Sequence, residues 1–153
     1  MSKIIAILIL GFQIALTFIV SFCIYMVLAL LDCEFGVDGL FGIFIFQPIM
    51  AVVLSSLSMF MCFLVGLPIR LNRKINHWWT THFYVSFIGV AMGVALLILS
   101  MLPSFRNTVV LNMLAQETVK QIPNITLAVW GWIVMVFCCL HVYPPRQLID
   151  KFR

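Results

Sequence analysis

Charge is the scarcest ingredient of this chain. Of its 153 residues, nine are Lys or Arg and five are Asp or Glu, 9% in all, against about 25% in an average soluble domain. Hydrophobic residues make up 64%, more apolar surface than a soluble fold of this size can cover. The composition therefore excludes an ordinary soluble domain and indicates an α-helical membrane protein. The alternating apolar and polar pattern of a transmembrane β-barrel is missing as well, because the apolar runs are continuous and long.

Other absences narrow the chemistry. Cys23, Cys33, Cys62, Cys138 and Cys139 are odd in number and contain no CxxC pair, so neither a disulfide framework nor a redox dithiol is expected. Ala29-Leu30-Leu31-Asp32-Cys33 has Asp32 where lipoprotein cleavage needs a small residue. No Asp, Glu, Lys or Arg stands well inside an apolar run. Such charges mark proton relays and ion sites, and their absence counts against an ion-coupled transporter and an intramembrane aspartyl protease. GxSxG and the paired carboxylates of membrane phosphotransferases are also missing, so a non-enzymatic role is expected. The net charge of +4 does not imply nucleic-acid binding, because the cations lie beside the apolar runs, where membrane topology accounts for them.

Four apolar runs are present: Ile4–Leu31, Leu40–Ile69, Phe83–Leu102 and Ile125–Tyr143. They predict spans at about 4–31, 44–69, 83–102 and 125–143. The first run ends in an acidic, glycine-containing loop with Asp32, Glu34 and Asp38, which lacks the EF-hand pattern and reads as solvated. Pro48 predicts a kink near the start of the second span. The stretch from Arg70 to His82 is a basic cluster bounded by Trp78, Trp79 and Tyr84. It reads as a loop in water with an aromatic belt at the interface. Trp130 and Trp132 mark the opposite interface on the fourth run. Between Arg106 and Asn124, Leu111, Leu114, Ala115, Thr118 and Ile122 predict one face of a short amphipathic helix on the outer surface.

Topology follows from charge. Lys3, Arg70, Arg73, Lys74, Arg146, Lys151 and Arg153 fall on one side of the predicted spans, and only Arg106 and Lys120 on the other. The positive-inside rule then places both ends in the cytoplasm. The predicted fold is all-α: a polytopic, four-helix transmembrane bundle, N-in and C-in, in the inner or plasma membrane, with one short amphipathic outer segment.

Within the spans, small residues form patterns. Ala51, Ser55, Ser58, Cys62 and Gly66 recur three and four apart, in one stripe. Gly89 and Gly93 form a GxxxG pattern. Small residues allow helix backbones to approach closely in lipid, and the two stripes are expected to face each other or a partner subunit. Gln13, a polar side chain in the first run, is expected to bond to a neighbouring helix.

The leading functional expectation is an accessory subunit or interaction protein acting by helix–helix contact. Its partners would be the bilayer and another membrane protein or further copies of the chain. An alternative is a homo-oligomeric pore lined by Gln13, Ser55, Ser56 and Ser58. A second is a redox subunit holding haem or a metal ion through His82, Cys138 and His141, since these are soft or borderline ligands gathered at one membrane face. His77 is five residues from His82 and does not share its helix face. Cys138 and Cys139 read as buried small hydrophobes ahead of acylation sites.

Overall fold

The computed structural model describes residues 3–31, 42–113 and 116–143. The acidic loop with Asp32, Glu34 and Asp38 and the basic tail from Pro144 lie outside the described residues. The chain forms helix α1 (Lys3–Leu31), a π-helical turn (Gly42–Phe46), α2 (Gln47–Leu71), α3 (Arg73–Thr81), α4 (Tyr84–Met101), a 3-10 turn (Pro103–Phe105), strands β1 (Asn107–Met113) and β2 (Gln116–Ile122), and α5 (Ile125–Leu140). Among the described residues, three stretches are long and apolar enough to cross a membrane: Ile7–Leu31, Gly42–Leu71 and Tyr84–Met101. The fourth apolar helix, α5, is shorter at 16 residues.

Pro48 sits in the first turn of α2, directly after the π-helical turn, within the continuous apolar stretch Gly42–Leu71. Two sequence expectations need correction. The basic loop is largely a helix. Asn72, in extended conformation, ends α2 and starts α3, and its side chain accepts from the backbone N–H groups of Lys74 at 3.0 Å and Ile75 at 3.5 Å. That single N-cap satisfies two otherwise orphaned donors and lets α3 begin at once. The outer segment is not a helix. β1 and β2 pair antiparallel, from Asn107 opposite Ile122 to Met113 opposite Gln116. Thr108, Val109, Val110, Thr118, Val119 and Ile122 supply the β-branched residues that favour strands. That local preference outweighs the helical spacing of the scattered leucines.

The core is organised around α5. It packs on α4, α2 and α1, and Met135, Val136 and Leu140 are fully buried among Cys62, Leu97, Trp132 and Cys139. The other helices each turn one face to this core and leave many large apolar side chains outward, including Val65, Phe87 and Ile98. Such a surface suits a hydrocarbon solvent.

Glycines set how closely α4 approaches α5. A Cβ on Gly93 would lie 2.7 Å from the Gly131 carbonyl oxygen and from the Met135 nitrogen, and a Cβ on Gly131 would lie 2.8 Å from the Gly93 oxygen. Backbone thus lies against backbone. Gly11, in α1, contrasts with these, because a Cβ there would meet nothing within 4 Å. Gly11→Ala is expected to leave the melting temperature unchanged or slightly raised. Ala is favoured over Gly in a helix interior by about 0.5–1 kcal/mol, and thermal denaturation in detergent reads the difference.

Candidate functional site

The last turn of any helix leaves carbonyls without intrahelical partners. In hydrocarbon no water meets them, so each needs a donor from the protein. The C-terminal end of α5 obtains its donors from the other helices. From α1, Gln13 Nε2 donates to the Val142 carbonyl at 2.7 Å. From α2, Arg70 Nη2 donates to the Leu140 carbonyl and to Gln13 Oε1, both at 3.0 Å. From α3, Trp79 Nε1 donates at 2.9 Å to the His141 carbonyl and at 2.9 Å to Ser86 Oγ. From α4, Ser86 Oγ donates to the same His141 carbonyl at 2.8 Å. His141 completes the turn itself: Nδ1 donates to the Phe137 carbonyl at 2.8 Å, and its backbone N–H caps Cys138 and Cys139.

This constellation brings together residues from five helices. Gln13, Ser86 and His141 are fully buried. The Arg70 guanidinium carbon also lies 5.4 Å from the Phe63 ring centroid and 6.0 Å from that of Tyr143, within cation–π range. Among the described residues, two buried atoms of the cluster, Arg70 Nε and His141 Nε2, meet no hydrogen-bond partner of good geometry. The His141 ring fits because position 66 is glycine; a Cβ there would collide with the imidazole.

Arg70 therefore does not behave as the sequence implied. Its guanidinium, half-buried, turns into the end of the bundle while the residue still lines the surface there. Trp79 is likewise an internal donor, whereas Trp78 is half exposed and stacks on His82 with ring centroids 4.9 Å apart. Trp132, assigned to the interface by sequence, is buried and donates to Ser58 Oγ at 2.8 Å.

The small-residue stripes do not face each other. Each lies against α5. On α2, Ala51, Ser55, Cys62 and Gly66 are buried, the Cys62 thiol points to the Ile133 carbonyl at 3.9 Å, and Gly66 lies under His141. On α4, Gly89 lies against Cys138, and Gly93 against Gly131 and Met135. Both stripes are occupied within one chain because α5, the most enclosed helix, takes the position between them.

The residues weighed as pore lining are split: Ser55 and Ser58 share the inward stripe of α2, while Gln13 is on α1 and Ser56 faces outward. Gln13 and Ser55 are fully buried, Ser58 is held by Trp132, and Ser56 is exposed. Ser55 Oγ is a third buried atom without a partner. Among the residues weighed for metal or haem, the His82 Nδ1–H donates to the Trp78 carbonyl at 3.0 Å, His141 belongs to the cap, and Cys138 is packed under Gly89. Among the described residues no three His, Cys, Asp or Glu side chains form a group able to hold a metal ion. Cys138 and Cys139 are buried free thiols.

At the other end of the molecule α1, α2, α4 and α5 line a mostly apolar cavity of about 620 Å³. Its wall includes Tyr25, Gln47, Ser58, Leu97, Ser100 and Trp132. Tyr25 Oη donates to Gln47 Oε1 at 2.9 Å, tying α1 to the start of α2. Asn124 closes that end: its side chain caps α5 by accepting from the Leu127 N–H, and its own N–H donates to the Ser100 carbonyl.

Sequence reasoning missed Arg70, Trp79 and Ser86 as partners, and also Thr17 and Ser21. One signal was available. Gln13, Thr17 and Ser21 recur four apart and form a buried polar stripe on α1. Thr17 and Ser21 donate to the carbonyls of Gln13 and Thr17, each at 2.7 Å, so the stripe is small and internally satisfied except at Gln13, which serves α5. The chain matches no family model, no curated protein and no solved structure.

Proposed function

We propose that this chain is a non-enzymatic integral membrane protein of four spans, both ends cytoplasmic, in the inner or plasma membrane. It acts as an accessory subunit or interaction protein through a helix surface that its own fold leaves uncovered. The shared end of the helices supports the topology. Gln13, Arg70, Ser86 and His141 meet there, so the beginnings of α1 and α4 lie with the ends of α2 and α5. The cations Lys3, Arg70, Arg73 and Lys74 belong to that end, and Arg106 lies after α4 at the other. At 1.5 Å per residue, α5 is about 24 Å long. That is short for a hydrocarbon core of about 30 Å, but its ends are capped and its second half is packed on α1, α2 and α4.

The observation that carries the function is the unequal length of α1. From Gln13 to Leu31 it measures about 28 Å by the same rise, already close to the bilayer core. The preceding segment, Lys3–Phe12, therefore runs about 15 Å beyond the capped end of α5. That segment is apolar, and Ile7, Leu8 and Phe12 are 68%, 66% and 64% exposed. An apolar helix that outruns its bundle exposes a face that an apolar helix of a partner can cover, packing by van der Waals contact around small residues such as Gly11.

A photo-reactive residue at Leu8 tests the reading in native membranes. A discrete cross-linked adduct is expected from Leu8 and none from Ile98, an outward residue of α4. An adduct of twice the 17.4 kDa chain mass identifies self-association, and an adduct of another fixed mass identifies a distinct partner. Absence of a discrete adduct from both Leu8 and Phe12 overturns the proposal.

A further inference from the structure

A second surface lies at the corner where α2 meets α3. It is an open basin lined by Arg70, Leu71, Arg73, Lys74, Asn76 and His77. The described stretch from 42 to 113 holds no Asp or Glu, so the basin's own lining is cationic. Arg73 and Lys74 are exposed, and the Arg70 guanidinium adds charge beneath them.

The basin adjoins uncovered apolar surface. Leu71, Trp78 and Ile75 are 80%, 50% and 40% exposed. On α3, Ile75 and Trp78 are three apart and share one face, while Arg73, Lys74 and His77 occupy another. Trp79, bonded to the His141 carbonyl, fixes the helix to the bundle, so these faces are held in a set orientation. A short amphipathic helix with cations on one side and Trp and Ile on the other lies in the plane of a membrane interface. Leu71 and the Trp78 face then meet acyl chains, and the cations meet headgroups.

We propose that the α2–α3 corner binds the phosphate headgroup of an anionic membrane phospholipid, with Arg73 and Lys74 on the phosphate and Leu71, Ile75 and Trp78 against the acyl chains. Charge complementarity selects an anion. The neighbouring apolar face selects a lipid over a free phosphate, because an inorganic ion gains nothing from Ile75 or Trp78. The proposal is independent of which partner α1 contacts.

Native mass spectrometry of the full chain, released from bilayers of equal phosphatidylglycerol and phosphatidylcholine, tests it. The wild type is expected to retain phosphatidylglycerol at least tenfold over phosphatidylcholine. Each cation near an anionic surface is worth about fivefold in affinity, so R73Q/K74Q lowers retention roughly 25-fold. R73K/K74R keeps it, and R106Q, at the other end, leaves it unchanged. Circular dichroism of each variant confirms the fold. I75N/W78N, with all cations present, also loses retention. Equal retention of the two lipids, or R73Q/K74Q behaving as wild type, overturns the proposal. Displacement by millimolar inorganic phosphate, with I75N/W78N unaffected, overturns it in favour of a free-phosphate site.

Discussion

Arg70→Met is expected to destabilise the detergent-solubilised protein by about 3 kcal/mol, roughly 6–12 °C in melting temperature for a chain of this size. The substitution keeps an apolar stem of similar length but removes Nη2. The Leu140 carbonyl and Gln13 Oε1 then lose their shared donor. A buried acceptor left without a partner costs about 1–3 kcal/mol. Gln13→Leu, which uncovers the Val142 carbonyl, is expected to cost less alone. The double variant should fall short of the sum by about 1 kcal/mol, because the two side chains act as one unit. Arg73→Met, at an exposed position, stays within about 0.5 kcal/mol of wild type. Thermal melts followed by circular dichroism compare all four, and an Arg70→Met protein that melts with wild type would remove the cap from the account.

Gly93→Ala is expected to cost about as much, near the upper end of the 1–3 kcal/mol typical of overpacked cores. Its added methyl group would lie 2.7 Å from two backbone atoms of α5, and backbone has no rotamer to adjust, so α4 and α5 must separate. The helix-propensity gain of about 1 kcal/mol from Gly to Ala does not offset this. Gly131→Ala meets the Gly93 carbonyl from the other side and should be comparable. Gly89→Ala provides the contrast, since its methyl group meets the side chain of Cys138, and Cys138→Ala should restore stability in that background. Equal melting of Gly93→Ala and Gly11→Ala would mean that the α4–α5 contact is not close.

These expectations divide along the line between local and tertiary information. Long apolar runs are a property of composition, and the long helices are legible in it. Small residues three and four apart mark a face, and Ala51, Ser55, Cys62 and Gly66 do lie on one buried face. Which neighbour that face meets is decided by three-dimensional competition. α5, with Gly131 and a row of buried apolar residues, occupies the position that sequence assigned to a second stripe. Arg70 was misread because charge was equated with contact with water. Its long side chain is able to reach back into the bundle, where α5 presents carbonyls that need donors. No local pattern records that need, since the carbonyl at Leu140 and its donor at Arg70 are tertiary partners. α3 was missed for a different reason: nine residues with one N-cap give too short a period to separate from a loop. The hairpin is hidden by a helical spacing in which Thr118 and Ile122 fit one face, while the β-branched run of Thr108, Val109 and Val110 beside them carries the strand preference.

The most direct test of the central claim concerns α5, the helix around which the others are arranged. Reporter fusions at the two ends, one set at the N-terminus and one at the C-terminus, measure the side of the membrane on which each lies. Both ends reporting the cytoplasm, with a tag inserted between β1 and β2 reporting the opposite side, is the predicted result, since α5 then crosses the membrane. Ends on opposite sides would mean that the chain crosses three times and that α5 does not span, which would contradict the four-span architecture and the capped end built on it.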